Sequence, residues 1–264
     1  MKPLRIEFIT QDDPIYILPL FEEFVRHHSE EAEIISISCC KVMGRRSRRQ
    51  LARELIELYG ILGFVRLLGR VASSRVLGIL PRRTSASSYL SLSQLCRAYH
   101  IEFHSIQNPN SPEFLAQAAA RRSDLIVSVA CPYILKQPLL AMPRLGCINI
   151  HHAPLPQYRG MMPTFWQLYH GESSVGLTIH SMGEKIDEGS ALLQERLAIE
   201  KGETLDRLIR RSKRHAAHCL ARVLRALQAN SAVSSPLSEE GATYFTFPSV
   251  AEIREFQRRG LRAI

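Results

Sequence analysis

The chain of 264 residues is 45% hydrophobic and 22% charged, which is typical of globular proteins and excludes a wholly disordered or fibrous chain. Its net charge of +9 favours an anionic partner, such as a phosphorylated substrate, nucleic acid or a membrane surface. The six cysteines lack CxxC spacing, and no signal peptide or transmembrane run is evident, so we expect a cytoplasmic protein with reduced cysteines.

The N-terminal segment alternates strand and helix patterns. Residues 4–10 are rich in β-formers, residues 16–25 have apolar positions at helical spacing, and residues 32–38 again predict a strand. This order is typical of a parallel sheet that is covered by helices. We therefore expect an α/β fold with a doubly wound, mostly parallel sheet.

Residues 44–90 differ from the rest of the chain in composition. They carry ten arginines among leucine, isoleucine and valine, and only Glu54 and Glu57 oppose them in charge. The pattern predicts one or two basic amphipathic helices inserted after the second strand. Two interpretations stay open: a surface for a phosphate-rich or membrane partner, or a helical excursion whose arginines face water.

The later elements continue the α/β pattern. Helices are predicted from Ser111, which is followed by Pro112, and over the long segment from Thr204 to Gln228. Short apolar runs predict strands at 102–105, 125–130, 147–151, 175–181 and 192–199.

The C-terminal segment is expected to be a small appendage. Residues 230–243 have the composition of a polar linker, and the following residues predict a strand and a helix that begins at Ser249. We therefore divide the chain into a main domain, 1–229, which contains the insertion 44–90, and an appendage, 230–264.

The stretch 147–160, C-I-N-I-H-H-A-P-L-P-Q-Y-R-G, carries the most informative polar residues. Asn149 and His151 lie two apart on a predicted strand, so their side chains share one face. An amide and an imidazole at the end of a strand can donate hydrogen bonds to a developing oxyanion. Asp187, in a glycine-bracketed loop, can orient the imidazole or move protons. From spacing alone, ordinary structural hydrogen bonding remains the alternative.

These residues resemble the formyltransferases that use 10-formyltetrahydrofolate, which act on glycinamide ribonucleotide, methionyl-tRNA or amino sugars. The family pattern is N-[IV]-H-x-[SA]-x-L-P-x-[YW]-x-G, and a catalytic aspartate in a D-x-G setting follows the asparagine by 38 positions. Asp187 has this spacing from Asn149 and is followed by Gly189. The preceding residues, 142–149, are similar to the tRNA-formylating branch. The pattern is matched by Asn149, His151, Leu155, Pro156, Tyr158 and Gly160.

The resemblance implies a mechanism without a metal. A primary amine of the substrate attacks the formyl carbon, and the Asn149 amide and a protonated His151 stabilise the oxyanion. Asp187 sustains the imidazolium and, through a water, helps to move a proton from the amine to the leaving nitrogen. The neighbouring histidines are not expected to be metal ligands.

The resemblance also implies a pteridine site between two loops. For the apolar residues of these loops, packing in the protein core is the alternative role. The two loops contain Cys131, Pro132, Tyr133, Ile134 and Leu135, and Met182, Gly183 and Lys185.

The sequence of the first strand–helix turn argues against one class of acceptor. Residues 10–16 contain no glycine and two acids, whereas the purine branch cradles a phosphate there, so glycinamide ribonucleotide is disfavoured. Asp12 or Asp13 can meet a cationic amine or cap the following helix. Arg159, beside Gly160, either contacts the acceptor or braces its loop.

Elimination favours an amine on a small metabolite. The 35 residues from 230 to 264 are too few for the C-terminal β-barrel of about a hundred residues that the tRNA branch carries. We favour an amino-sugar nucleotide, because arginines can meet its diphosphate. An amino-acid or peptidyl amine is the other small acceptor.

Three further functions stay open. They are a formyltetrahydrofolate hydrolase, a methionyl-tRNA formyltransferase-like protein without the tRNA domain, and a non-catalytic basic protein that binds RNA or lipid. The charge leaves nucleic acid open as a disfavoured partner, and a homodimer is also left open.

Overall fold

The computed structural model describes residues 3–41, 48–183 and 189–264, and of Arg48 only the backbone. Within these ranges the strands are β1 Leu4–Gln11, β2 Ala32–Cys40, β3 Glu102–Ile106, β4 Leu125–Val129, β5 Cys147–His151, β6 Arg159–Gly160, β7 Ser174–Ser181, β8 Ser190–Ala198, β9 Ser235–Pro236 and β10 Tyr244–Phe245. The helices of the same ranges are α1 Leu18–His27, α2 Arg48–Leu77, α3 Leu92–Ala98, α4 Pro112–Arg121, α5 Gln137–Leu140, α6 Pro163–Tyr169, α7 Leu205–Gln228 and α8 Val250–Arg258.

One large sheet organises the described residues. Its strand order is β3-β2-β1-β4-β5-β7-β8-β9, and a separate ribbon pairs β10 with β6. The strands from β3 to β5 run parallel, and β7, β8 and β9 continue the sheet antiparallel. The α/β fold with a doubly wound, mostly parallel sheet is therefore confirmed.

Helices cover both faces of this sheet. On one face, α1, α3 and α7 pack over apolar residues such as Phe8, whose ring lies 4.9 Å from that of Phe21. On the other face, α4 and α5 pack over a smaller cluster that includes Ile9 and Cys147. Because both faces are covered, most residues of the central strands β1, β4 and β5 are buried.

The predicted helix starts are formed by local side-chain caps. The Ser111 hydroxyl accepts a hydrogen bond from the Phe114 amide at 3.3 Å, and Thr204 does the same for Arg207 at 3.4 Å. Ser249 and Glu252 form a reciprocal capping box at the start of α8. Each cap satisfies an amide that has no partner within its helix, which is why these starts could be predicted from the sequence.

The arginine-rich segment forms α2, which bends at Gly60. Gly60 has φ 69°, so α2 consists of two helical halves, as the prediction of one or two helices allowed. Its first half contacts α8, where Arg254 pairs with Glu57 at 2.7 Å. Residues 42–47 lie outside the described residues. No helix among the described residues is long and apolar enough to cross a membrane.

The C-terminal segment packs against the rest of the chain. The Phe256 ring of α8 stacks on Phe165 of α6 with 4.8 Å between centroids. In the ribbon, Tyr244 pairs with Arg159 and Phe245 with Gly160. The predicted strand of the appendage therefore contacts the loop that follows β5, and its helix contacts α6.

Candidate active site

Strand β5 orients the predicted catalytic residues. Ile148 and Ile150 belong to the core under α1 and α7, whereas Cys147 belongs to the cluster under α4 and α5. Because side chains alternate along a strand, Asn149 and His151 point to the same face as Cys147. The predicted pair therefore shares the face that α4 and α5 partly cover.

The same face carries the described part of the predicted pteridine site. Leu135 is buried in the cluster with Cys147, and Cys131, Tyr133 and Met182 pack against it. The exposed Ile134 and the loop residue Pro132 complete the first loop. Catalytic and folate-binding candidates that are far apart in sequence thus lie on one side of the sheet.

Asn149 is bonded to a histidine that the sequence analysis did not select. In the antiparallel register Asn149 lies opposite His180, and Asn149 Nδ2 is 3.2 Å from His180 Nε2. The amide nitrogen is a donor only, so His180 Nε2 is the acceptor. His180 Nδ1 then carries the hydrogen and donates to the Ser181 carbonyl at 2.9 Å. One Asn149 hydrogen is thereby fixed by His180, and the geometry of the amide is set.

His151 is held through the loop that follows it. Its Nε2 lies 3.0 Å from the Tyr158 carbonyl, which only accepts, so Nε2 donates. Nδ1 consequently offers a second donor only when the ring is an imidazolium. Tyr158 is itself anchored, because its amide donates to Thr243 Oγ1 at 2.8 Å and its hydroxyl to Glu172 at 2.8 Å.

Gly160 and Arg159 tie this loop to the C-terminal segment. Gly160 has φ 94°, and a Cβ there would lie 2.2 Å from the Phe245 carbonyl oxygen. Both terminal nitrogens of Arg159 pair with Glu239, at 3.2 and 3.3 Å. This pairing braces the loop, and contact of Arg159 with an acceptor stays a prediction.

Asn110 fixes the first loop of the predicted pteridine site and was also missed by sequence analysis. Its side-chain nitrogen donates to the Ile134 carbonyl at 2.9 Å, and its oxygen accepts from the Lys136 amide at 2.8 Å. The Tyr133 hydroxyl donates to the Gln107 carbonyl. The sequence did indicate a polar Asn-Pro-Asn turn after β3. Such turns are too common for a binding role to be assigned to them without the fold.

The second predicted loop is only partly described. Met182 and Gly183 precede its gap and Gly189 follows it, whereas Lys185 and Asp187 lie outside the described residues. The Met182 amide donates to the Cys147 carbonyl at 2.9 Å, so the loop departs beside β5. The positions assigned to Lys185 and Asp187 by resemblance stay predictions.

A pocket of about 300 Å³ lies between the first strand–helix turn and α2. Asp12 and Arg75 both line it, together with the apolar Phe64, Leu67 and Val71. Burial raises the pKa of Asp12, and the positive charge of Arg75 opposes that effect. Asp12 thus lies beside a cavity at the carboxyl end of β1, where ligands of such sheets bind.

Asp13 stabilises the turn itself. Its Oδ1 accepts hydrogen bonds from the amides of Ile15 and Tyr16, at 2.8 and 2.9 Å, so it caps the turn before α1. Burial raises its pKa, while these bonds and the charge of Lys213 act against the rise. Lys213, on α7, is buried, and burial lowers its pKa to about 8.

Among the described residues, one group could offer a metal three ligand atoms. Glu195, His215 and Cys219 have these atoms within 4.8 Å of one another. Glu195 is already paired with Arg222 and lies 3.0 Å from His215 Nε2. The group is between β8 and α7, on the face opposite to Asn149, so it takes no part in the site on β5.

Comparison with known families decides the assignment. The model of the "Formyl transferase" family matches residues 86–224, which is more than half of the chain. The chain belongs to the formyl transferase family. The resemblance to 10-formyltetrahydrofolate-dependent formyltransferases is therefore confirmed at the level of the family. The family match begins after α2.

Relatives with curated names match over a shorter part of their length. Methionyl-tRNA formyltransferase of Syntrophus aciditrophicus is 40% identical over 133 residues, which are 50% of this chain and 43% of that protein. The corresponding protein of a Synechococcus species is 38% identical over 133 residues, 50% of this chain and 41% of its own length. The chain thus spans less than half the length of these relatives.

Solved formyl transferase structures share the fold. Glycinamide ribonucleotide transformylase 1 from Symbiobacterium toebii has a TM-score of 0.59 and 17% identity, covering 89% of this chain and 95% of that one. A sugar N-formyltransferase from a Shewanella species has a TM-score of 0.54 and 18% identity, covering 92% and 76%. At these identities the likeness supports the fold alone.

Proposed function

We propose that the protein transfers the formyl group of 10-formyltetrahydrofolate to a primary amine of a small metabolite. The observation that carries this proposal is the placement of Asn149 and His151 on one face of β5. That face also bears the Cys131–Leu135 loop and Met182, within a chain of the formyl transferase family. The partly buried Tyr133 and Met182 and the exposed Ile134 fit a flat, largely apolar ring such as a pteridine.

The hydrogen bonds of Asn149 and His151 support a role for each in the proposed reaction. When bound, 10-formyltetrahydrofolate supplies the formyl carbon. The Asn149 hydrogen that is not bonded to His180 donates to the formyl oxygen as negative charge develops on it. His151 adds a second donor through Nδ1 in its imidazolium form, since Nε2 is committed to Tyr158. Hydrogen-bond donors fixed before the reaction stabilise such charge without reorganisation.

Asp187 is proposed to favour the charged form of His151 through its negative charge and to assist proton transfer. The amine forms a bond to the formyl carbon, and the bond from that carbon to the folate nitrogen breaks. The proton lost by the amine passes to the departing nitrogen, so no oxidant or metal is required. A carboxylate near an imidazole favours the charged ring, which is the form that the Nδ1 donor needs.

We favour an amino-sugar nucleotide as acceptor. The pocket beside β1 combines the Asp12 carboxylate, suited to an ammonium group, with the Arg75 guanidinium, suited to a phosphate. No glycine-rich phosphate turn is present at residues 10–16. The Gly160 turn is proposed to shape the acceptor side of the site.

A spectroscopic assay of tetrahydrofolate release tests the proposal. The donor is 10-formyltetrahydrofolate, supplied without acceptor and then with amino-sugar nucleotides, amino acids, glycinamide ribonucleotide or methionyl-tRNA. Release that needs one amine supports the transferase and identifies its acceptor. Release without an amine indicates the hydrolase.

Two variants make the assay decisive. Asn149→Ala should lower the rate about 10²–10³-fold, the typical loss for one oxyanion donor. Asn230→Ala, which changes an exposed asparagine after α7, is the matched control and should keep the wild-type rate. Equal rates for both variants would contradict the proposed role of β5.

A further inference from the structure

The second half of α2, residues 61–77, contacts the protein by one face. Gly63, Leu67 and Ser74 are buried, at spacings of four and seven residues. Such spacings place side chains on one side of an α-helix. The residues on the opposite side therefore face solvent.

The solvent-facing side of this half-helix is apolar. Ile61, Val65, Leu68, Ala72 and Val76 follow one another at spacings of four, three, four and four residues, so they form one stripe. The four large residues of the stripe are each more than half exposed. A helix on the surface of a globular protein carries polar residues on that side. Contiguous exposed apolar surface of this kind marks an interaction site.

The apolar surface continues beyond the helix. Leu62, beside the stripe, and Ile79 and Leu80, which follow the helix, are also more than half exposed. We call residues 61–80 the α2 surface. Ten of the fifteen large hydrophobic residues that are exposed in the described structure lie between Leu51 and Leu80.

The charges beside the α2 surface are all positive. At 100° per residue, Arg66 and Arg75 lie on opposite flanks of the apolar stripe, and Arg82 and Arg83 follow Leu80. All four arginines are exposed. The sequence contains no aspartate or glutamate between Leu58 and Ile101. A partner of this surface must therefore combine apolar and anionic groups.

We propose that the α2 surface docks on the surface of a membrane that contains anionic lipid. The apolar stripe enters the boundary between head groups and acyl chains, while the guanidinium groups of Arg66, Arg82 and Arg83 pair with lipid phosphates. The helix then lies in the plane of the interface and does not span it. The proposal does not depend on the formyl-transfer chemistry.

Two other occupants fit less well. A second copy that pairs by a two-fold axis would bring the same arginines together, and like charges at an interface are unfavourable. Nucleic acid would neutralise the arginines but would leave the apolar stripe in water. Only a surface with both phosphates and acyl chains matches both features.

Vesicle sedimentation tests this inference. The full chain is mixed with vesicles of phosphatidylcholine alone, or of phosphatidylcholine and phosphatidylglycerol, at low and high salt. We expect binding to the mixed vesicles, little binding to the neutral ones, and partial loss at high salt because screening weakens only the charge contribution. Absence of binding to the mixed vesicles would overturn the proposal.

Matched variants test the surface itself. Val65→Asp should lower partitioning about tenfold or more, because it places a negative charge in the stripe. Val233→Asp is the control, since Val233 is an exposed valine in the C-terminal linker. Arg66→Gln should weaken binding to the mixed vesicles, whereas Arg258→Gln, an exposed arginine on α8, should not.

Equal binding of Val65→Asp and wild type to the mixed vesicles would overturn the proposal, provided that circular dichroism shows both to be folded.

Two measurements address the other occupants. A dimer in sedimentation velocity that Val65→Asp dissociates, without vesicle binding, would assign the surface to a second copy. Retention of single-stranded RNA without vesicle binding would assign the arginines to nucleic acid.

Discussion

The His180 imidazole accepts a hydrogen bond from the Asn149 amide across the β5–β7 pair, with 3.2 Å between the two nitrogens. The two residues lie directly opposite each other in the antiparallel register. Asn149 Nδ2 can only donate, so His180 Nε2 accepts, and His180 Nδ1 donates to the Ser181 carbonyl. This pair fixes the direction of the amide that is proposed to bind the formyl oxygen.

We expect His180→Ala to lower kcat more than it changes KM, because a positioning residue acts on the transition state through Asn149. The loss should be smaller than that of Asn149→Ala. The double variant should be no slower than Asn149→Ala alone, since His180 acts only through the Asn149 amide. Steady-state kinetics of the three variants check this. Multiplicative losses would show that His180 acts independently of Asn149.

Gly160→Ala should destabilise the loop after β5 and lower activity. An alanine there suffers a left-handed φ, which costs roughly 1–2 kcal/mol, and its Cβ also meets the Phe245 carbonyl, an overlap that typically adds about 1–3 kcal/mol. Gly171→Ala is the matched control, because its φ is 79° but its Cβ meets nothing within 4 Å. Urea unfolding should show the larger loss for Gly160→Ala. Equal losses would mean that the contact with β10 is unimportant.

Because Lys213 is buried, we expect the protein to become more stable as the pH rises. Its pKa is lowered to about 8 by burial from a usual 10.5, so between these pH values the unfolded chain binds more protons than the folded one. The free energy of unfolding should then increase by about 3 kcal/mol across this window from this group alone. Ionisation of buried thiols acts in the opposite direction, because burial raises the pKa of Cys96 and Cys147 to about 12.

The effect of Lys213 is therefore measured as a difference between variants at the same pH. Lys213→Met should lack the rise, whereas Lys201→Met, which changes an exposed lysine, should keep it. Urea unfolding at pH 7.5 and pH 10 provides the comparison. If Lys213→Met and wild type respond alike, Lys213 is not a buried lysine with a lowered pKa.

Cys131 should react first among the six cysteines. A hydrogen bond from Cys40, with 3.9 Å between the sulfurs, lowers the pKa of Cys131, whereas the pKa of each other cysteine is raised. Because the thiolate is the nucleophile, iodoacetamide at neutral pH should modify Cys131 fastest. Peptide mapping by mass spectrometry identifies the modified residue.

The same experiment tests the proposed pteridine site. Tetrahydrofolate should slow the alkylation of Cys131, since this residue begins the first loop of the proposed pteridine site. It should leave the slow alkylation of Cys96 unchanged, because Cys96 is buried under the other face of the sheet. An unaltered rate at Cys131 in saturating tetrahydrofolate would place the folate elsewhere.

Local chemistry made much of the fold predictable from the sequence. The caps at Ser111, Thr204 and Ser249 act over three residues, and the alternation of β5 places Asn149 and His151 on one face. Both kinds of signal depend only on neighbours along the chain, so the order of the amino acids is enough to predict them. The family pattern from Asn149 to Gly160 indicated the chemistry for the same reason.

Only the tertiary structure decided which distant groups meet. The register of β5 against β7 selects His180 as the partner of Asn149, and the pairing of β10 with β6 turns Arg159 toward Glu239. It also left the apolar side of the second half of α2 facing solvent, whereas the composition of residues 44–90 left open a partner-binding surface or arginines facing water. Strand register and the rotation of a helix about its axis are set by packing over the whole molecule. They therefore cannot be predicted from the spacing of residues in the sequence.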